Sequence, residues 1–127
     1  MHTQLLGQHC KLLLDAHDCV IIPGFGGLIS RTVSAWYSDE REQFFPPSRD
    51  VQFNRSLQQD DGKLVHSVSS ALGAGADEVR AIIASVVENV IKELEASGKV
   101  AVAHLGQFSL GIGGEFLFQP SSELLIL

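Results

Sequence analysis

The sequence predicts an α+β fold in which helices pack on small antiparallel β-sheets, and three observations predict it. The segment DEVRAIIASVVENVIKELEASGK carries Val79, Ile82, Ile83, Val86, Val87, Val90, Ile91 and Leu94 at three- and four-residue steps, the spacing of one buried helical face. Two apolar, glycine-interrupted stretches, CVIIPGFGGLIS at 19–30 and KVAVAHLGQFSL at 99–110, each follow directly on a helical segment and read as β-type sequence. The order helix, strand, glycine turn, strand, connection, strand thus occurs twice, which points to an internal duplication.

The elements can be placed in chain order. Thr3 is positioned to cap a first helix that carries Leu5, Leu6, Leu12, Leu13 and Ala16 and ends near Asp18. The stretch IIPGFGGLIS then raises the question of a phosphate-cradling loop. Such loops need a set glycine spacing with a helix directly after them, and a Walker loop also needs Lys followed by Ser or Thr. PGFGG has neither, lies between two strands, and is matched in the second copy by AHLGQ with a single glycine, so a hairpin turn tolerating positive φ explains both. Laid over each other without a gap, the copies match Val20 with Val100, Ile22 with Val102, Phe25 with Leu105, Gly26 with Gly106 and Leu28 with Phe108. A returning strand follows each, VQFNRSLQ at 51–58 and FLFQPSSEL at 116–124, with Phe53 corresponding to Phe118. Between the copies, DGKLVHSVSSALG predicts a shorter helix from the cap Asp61 to the stop Gly73, bearing Leu64, Val65, Val68, Ala71 and Leu72. The long helix is expected over about 77–96, capped by Asp77 and ended by Gly98.

Composition narrows the function. The chain has 127 residues, 45% hydrophobic and 19% charged, as an ordinary folded domain does. No stretch is apolar enough to span a bilayer, and MHTQLLGQHCK lacks the parts of a signal peptide, so a cytoplasmic location without membrane insertion is expected. Two cysteines are too few for a disulfide framework. His9, Cys10, His17 and Cys19 are near each other but lack the CxxC pairing of structural zinc, and Cys10 and Cys19 suffice as packing residues, so no metal is expected. His66 and His104 are isolated, Ser67, Ser69, Ser70, Ser121 and Ser122 have no elbow or triad context, and Glu88, Glu93 and Glu95 read as a solvated helix face. The expectation is no enzyme, no cofactor and no small-molecule substrate.

From Asp61 onward the residues resemble an HU/IHF-type histone-like domain: the helix LVHSVSSALG, the long helix, KVAVAHLGQFSL with its Gly-x-Phe at Gly106 to Phe108, and FLFQPSSEL with the Phe-x-Pro step that leads to a final helix. Residues 1–60 resemble the same unit without its first helix. The whole chain, most specifically DCVIIPGFGGLIS and FFPPSRDVQFNRSLQQDDG, is similar to the tandem divergent HU-like domains N-terminal of bacterial membrane-anchored SPOR-domain proteins. The resemblance implies two units, 1–60 and 61–127, arranged as an intramolecular pseudo-dimer that is monomeric in solution. It also implies the cytoplasmic head of a longer protein, and the apolar end ELLIL reads as a cut.

HU-type proteins grip bent duplex with long basic β-arms, so their affinity rests on neutralising phosphates. Here the second arm is reduced to GIGGE. The first is RTVSAWYSDEREQFFPPSRD, where Arg31, Arg41 and Arg49 stand against Asp39, Glu40, Glu42 and Asp50. The net charge of −6, from 9 Lys+Arg against 15 Asp+Glu, opposes generic DNA binding. The arm is expected to be either a flap packed on the core or a contact surface. As a contact surface, Trp36, Tyr37, Phe44 and Phe45 flanked by Arg41 and Arg49 suit a protein partner better than DNA. The alternative, DNA binding, would use Arg31, Arg49, Arg55 and Lys63 if they gather on one face.

Overall fold

A computed structural model describes residues 3–126. Helix α1 (Thr3–Ala16) leads into β1 (Cys19–Ile22) and β2 (Gly26–Val33). A small ribbon follows, β3 (Trp36–Ser38) and β4 (Gln43–Phe45), and β5 (Ser48–Asn54) returns beside β2. Helices α2 (Lys63–Leu72) and α3 (Ala76–Ser97) come next, then β6 (Lys99–Val102), β7 (Gly106–Leu110), β8 (Phe116–Pro120) and the short α4 (Ser122–Leu125). The sheets β1-β2-β5 and β6-β7-β8 are antiparallel throughout, so the mixed α+β class expected from the sequence is the one observed.

The helix ends show which caps the sequence identifies correctly. Gly73 (φ 66) and Gly98 (φ 82) close α2 and α3 in the left-handed conformation, each donating its N–H to the carbonyl four residues back, Ser69 and Leu94. The N-termini differ from expectation. Gly62 stands at the start of α2 in place of Asp61, whose carboxylate instead accepts the Lys63 N–H at 3.1 Å. Gly75 stands at the start of α3 in place of Asp77, which lies in the first turn, where its charge still favours the helix dipole. Helix α1 ends at Ala16, two residues before Asp18, and its start falls at the limit of the described residues.

The two hairpins repeat each other bond for bond at an offset of 80 residues, from Cys19 to Lys99. Val20 pairs Leu28 as Val100 pairs Phe108, and Ile22 pairs Gly26 as Val102 pairs Gly106. Phe25 donates its N–H to the Ile22 carbonyl (3.0 Å) as Leu105 does to Val102 (3.1 Å), and Ser30 donates to Asp18 (2.7 Å) as Leu110 does to Gly98 (2.9 Å). The turn residue before each has positive φ, 76° at Gly24 and 70° at His104, so a histidine holds a conformation that glycine adopts without strain. Leu28 then faces Phe53 across to β5, as Phe108 faces Phe118 across to β8.

One core joins the two sheets. Phe108 is fully buried and meets Phe25 edge-on at 5.0 Å, Phe53 edge-on at 5.1 Å and Phe118 at 4.8 Å. The buried stripe of α3 (Val79, Ile83, Val86, Val87, Val90, Leu94) packs into the same cluster, together with Leu6, Cys10 and Leu14 of α1. Helix α1 lies against the second hairpin as well as its own, because Gly7 has no side chain: a Cβ there would overlap the Ala103 carbonyl oxygen. At the other end Ser121 caps α4 by accepting the Leu124 N–H, and α4 rests on β5 of the first sheet, with Ile126 bridging to Ser48. Leu124, within the stretch expected to be a cut end, is completely buried there.

Candidate functional site

The insertion between β2 and β5 forms a two-stranded ribbon that projects from the first sheet. After the last pair of that sheet, Val33 with Ser48, the chain re-pairs Trp36 with Phe45, Tyr37 with Phe44 and Ser38 with Gln43. Neighbouring residues of a strand point to opposite faces, so Trp36 with Phe45 occupies one face of the ribbon and Tyr37 with Phe44 the other. The first pair is stacked, centroids 4.4 Å apart and planes 12° from parallel, and the second is tilted at 4.8 Å. These contacts are the ribbon's own. Trp36 stays 52% exposed, Tyr37 46% and Phe44 75%, so the arm does not act as a flap sealing the core.

Its tip is a four-residue turn, Asp39 to Glu42, holding three carboxylates and Arg41. Ser38 Oγ accepts the Arg41 N–H at 3.3 Å, and Glu42 takes a left-handed φ of 50°. Trp36 and Tyr37 lie within three residues of that acidic turn, about 10 Å along the strand.

The basic residues proposed from the sequence do not gather. Arg41 is exposed at the tip. Arg49, expected on the arm surface, is 4% exposed: it reaches inward, forms an ion pair with Asp15 of α1 at 2.9 Å, and donates from Nε to the Leu124 carbonyl of α4, while its Nη2 meets no partner among the described residues. It is therefore part of the packing and not a contact residue. Arg31 is exposed but faces Asp50 at 3.7 Å. Arg55 donates to the carbonyls of Gly24 and Phe25 and sits 4.5 Å over the ring of Phe116, binding the first hairpin turn to the second sheet. Lys63 is held by Asp61 at 3.7 Å and the Cys19 carbonyl at 3.4 Å. Arg31, Arg49, Arg55 and Lys63 are each answered locally, and they form no shared phosphate-binding row.

The partners of Arg49 could not be anticipated, since Asp15 and Leu124 are remote in sequence. Its direction could: Arg49, Val51 and Phe53 share one phase of a strand whose inner face is apolar. A cleft of about 630 Å³ is lined by Lys11 and Arg49 and by Asp15, Asp18 and Glu123, with His17 among them, so it carries both signs of charge.

The remaining polar candidates are structural in geometry. His9 is buried, with Nδ1 2.7 Å from Ser67 Oγ, which joins α1 to α2; burial holds its imidazole below the ordinary value. Burial pushes the Cys10 thiol up to about 12, which suppresses the thiolate that nucleophilic or ligating chemistry would need. Among the described residues no three His, Cys, Asp or Glu side chains converge in a way that could hold a metal ion. Among the described residues no helix is long and apolar enough to cross a membrane.

Residues 4–61 match the family model of the CCDC81-like prokaryotic HU domain 1. The match supports an HU-like domain over this stretch, which takes in α1, the first sheet and the aromatic arm. No curated protein and no solved structure gives a significant match.

Proposed function

We propose that the chain is a non-enzymatic, HU-like binding module that engages a protein partner through its aromatic arm. The observation that carries this reading is the ribbon itself: three large aromatic side chains, Trp36, Tyr37 and Phe44, held exposed by their own cross-strand pairing, above a tip with more carboxylates than cations. Exposed aromatic clusters of this kind are where interfaces concentrate binding energy. Phosphate binding needs unpaired cations on one surface, and Arg31, Arg49, Arg55 and Lys63 are each engaged within the fold.

In the same reading, residues 1–60 and 61–127 are two divergent HU-like units folded as an intramolecular pseudo-dimer. The hairpins that coincide at an offset of 80 residues, from Cys19 to Lys99, support this, as does the single phenylalanine core between the sheets. The sequence resemblance to heads of SPOR-domain proteins supports a role as the cytoplasmic end of a membrane-anchored tether.

Three measurements test the proposal. A photo-crosslinking residue at Phe44 in cells is expected to yield a discrete protein adduct, and light scattering a monomer of 13.7 kDa. A salt-dependent shift of duplex DNA, with DNA crosslinked at Phe44, would replace the protein-partner reading with the nucleoid-associated one. An obligate interlocked homodimer would refute the pseudo-dimer.

A further inference from the structure

We infer that the partner segment recognised by the arm is basic and arginine-bearing, its guanidinium groups stacking on the aromatic pairs while their charge is met by the acidic tip. This rests on the arm being the contact surface, and on two features that the ribbon combines. The first is a pair of opposite aromatic faces, Trp36 with Phe45 and Tyr37 with Phe44, each presenting π-surface to solvent. The second is the turn Asp39-Glu40-Arg41-Glu42, three carboxylates to one cation, immediately beyond both faces.

Aromatic surface alone would suit many occupants, and charge decides among them. A second copy of the arm would bring two acidic turns together, which like-charge repulsion opposes. Duplex DNA would set phosphates against the same carboxylates. An acidic or neutral peptide would leave the tip without a complement. A segment carrying arginine satisfies both features at once, because a planar guanidinium stacks on an aromatic face and still presents N–H donors at its edge to a carboxylate. The molecule contains an intramolecular example of the first half of this contact, with Arg55 4.5 Å over the ring of Phe116. Arg41 within the turn spaces the carboxylates without cancelling them, and its backbone N–H is tied to Ser38, so the turn has a defined shape.

The chain contains one tryptophan, and it lies in the arm, so Trp36 fluorescence reports this surface directly. The full chain is titrated with a short peptide of alternating arginine and leucine, with its glutamate–leucine and lysine–leucine counterparts, and with a duplex oligonucleotide. The arginine peptide is expected to quench or shift Trp36 emission, with affinity falling roughly tenfold from about 0.05 M to about 0.5 M salt. The lysine peptide is expected to bind more weakly, and the glutamate peptide and duplex to leave the emission unchanged. The combined substitutions Asp39→Asn, Glu40→Gln and Glu42→Gln, all exposed and isosteric, are expected to weaken the arginine peptide about tenfold. Phe44→Ala is expected to weaken it as well, with Trp36 still present as reporter. Equal response to the glutamate peptide, no response to the arginine peptide, or indifference to the turn substitutions would overturn the inference. If Phe44 still crosslinks to a protein in cells, only the basic-partner inference falls. If it crosslinks to DNA, the reading beneath it falls too.

Discussion

The Arg49 guanidinium and the Asp15 carboxylate stand 2.9 Å apart, the arginine side chain 3% exposed and the aspartate 51%. Asp15 lies in the last turn of α1, where a negative charge opposes the helix dipole, and that turn has no basic residue of its own. Arg49 supplies the missing cation from β5. Asp15→Asn leaves a buried guanidinium with only the Leu124 carbonyl as partner, and is expected to destabilise the fold by about 1–3 kcal/mol. Arg49→Met removes the buried charge and keeps the stem, so its cost should be the smaller of the two. Urea denaturation of both variants checks the order; the reverse order would show that the pair contributes net attraction.

Gly7→Ala separates propensity from packing. In an isolated helix the substitution would favour α1 by about 1 kcal/mol. In this fold the new Cβ meets the Ala103 carbonyl oxygen, backbone that cannot rotate away, so α1 must shift off the second hairpin. A loss of about 2 kcal/mol or more is expected. A raised melting temperature for this variant would refute the close approach.

Stability should also depend on pH through His9. Its folded-state value lies below the ordinary 6.5 because burial disfavours the imidazolium, so the unfolded chain binds the proton more readily. The His9 contribution is therefore complete above pH 6.5 and is lost as pH falls from there through the folded value. His9→Gln, which retains a polar group toward Ser67, should flatten this part of the stability profile in denaturation curves taken between pH 7 and pH 5. An unchanged slope would assign the acid sensitivity to other groups.

Phe108→Ala removes the ring on which both sheets converge and should cost about 3–5 kcal/mol. Because Phe53 belongs to one sheet, Phe25 to that sheet's hairpin turn and Phe118 to the other sheet, amide exchange should rise in both sheets together. Faster exchange confined to β6-β7-β8 would mean that the sheets open independently.

Much of this architecture is legible in the residues, and the failures have physical causes. The gapless overlay of the two glycine segments reproduces the observed register, since alternation and a turn residue are local properties. The helix stops at Gly73 and Gly98 are equally local. The ribbon β3–β4 is invisible as strand because three-residue segments flanked by charges carry no period to detect, and their pairing is set by the opposed aromatics. Arg49 misleads because its charge suggests a surface, while only its phase with Val51 and Phe53 reveals an inward direction. His104 gives no sign of its left-handed backbone until its equivalence with Gly24 is used.

The helix that closes the second sheet lies on the returning strand of the first, with Leu124 sealed beneath it and Ile126 joined to Ser48. Contiguity along the polypeptide and contiguity in space therefore disagree, and cutting the chain between β5 and α2 would not liberate two finished pieces. A fragment ending before α2 would lack the wall that α4 supplies to β5.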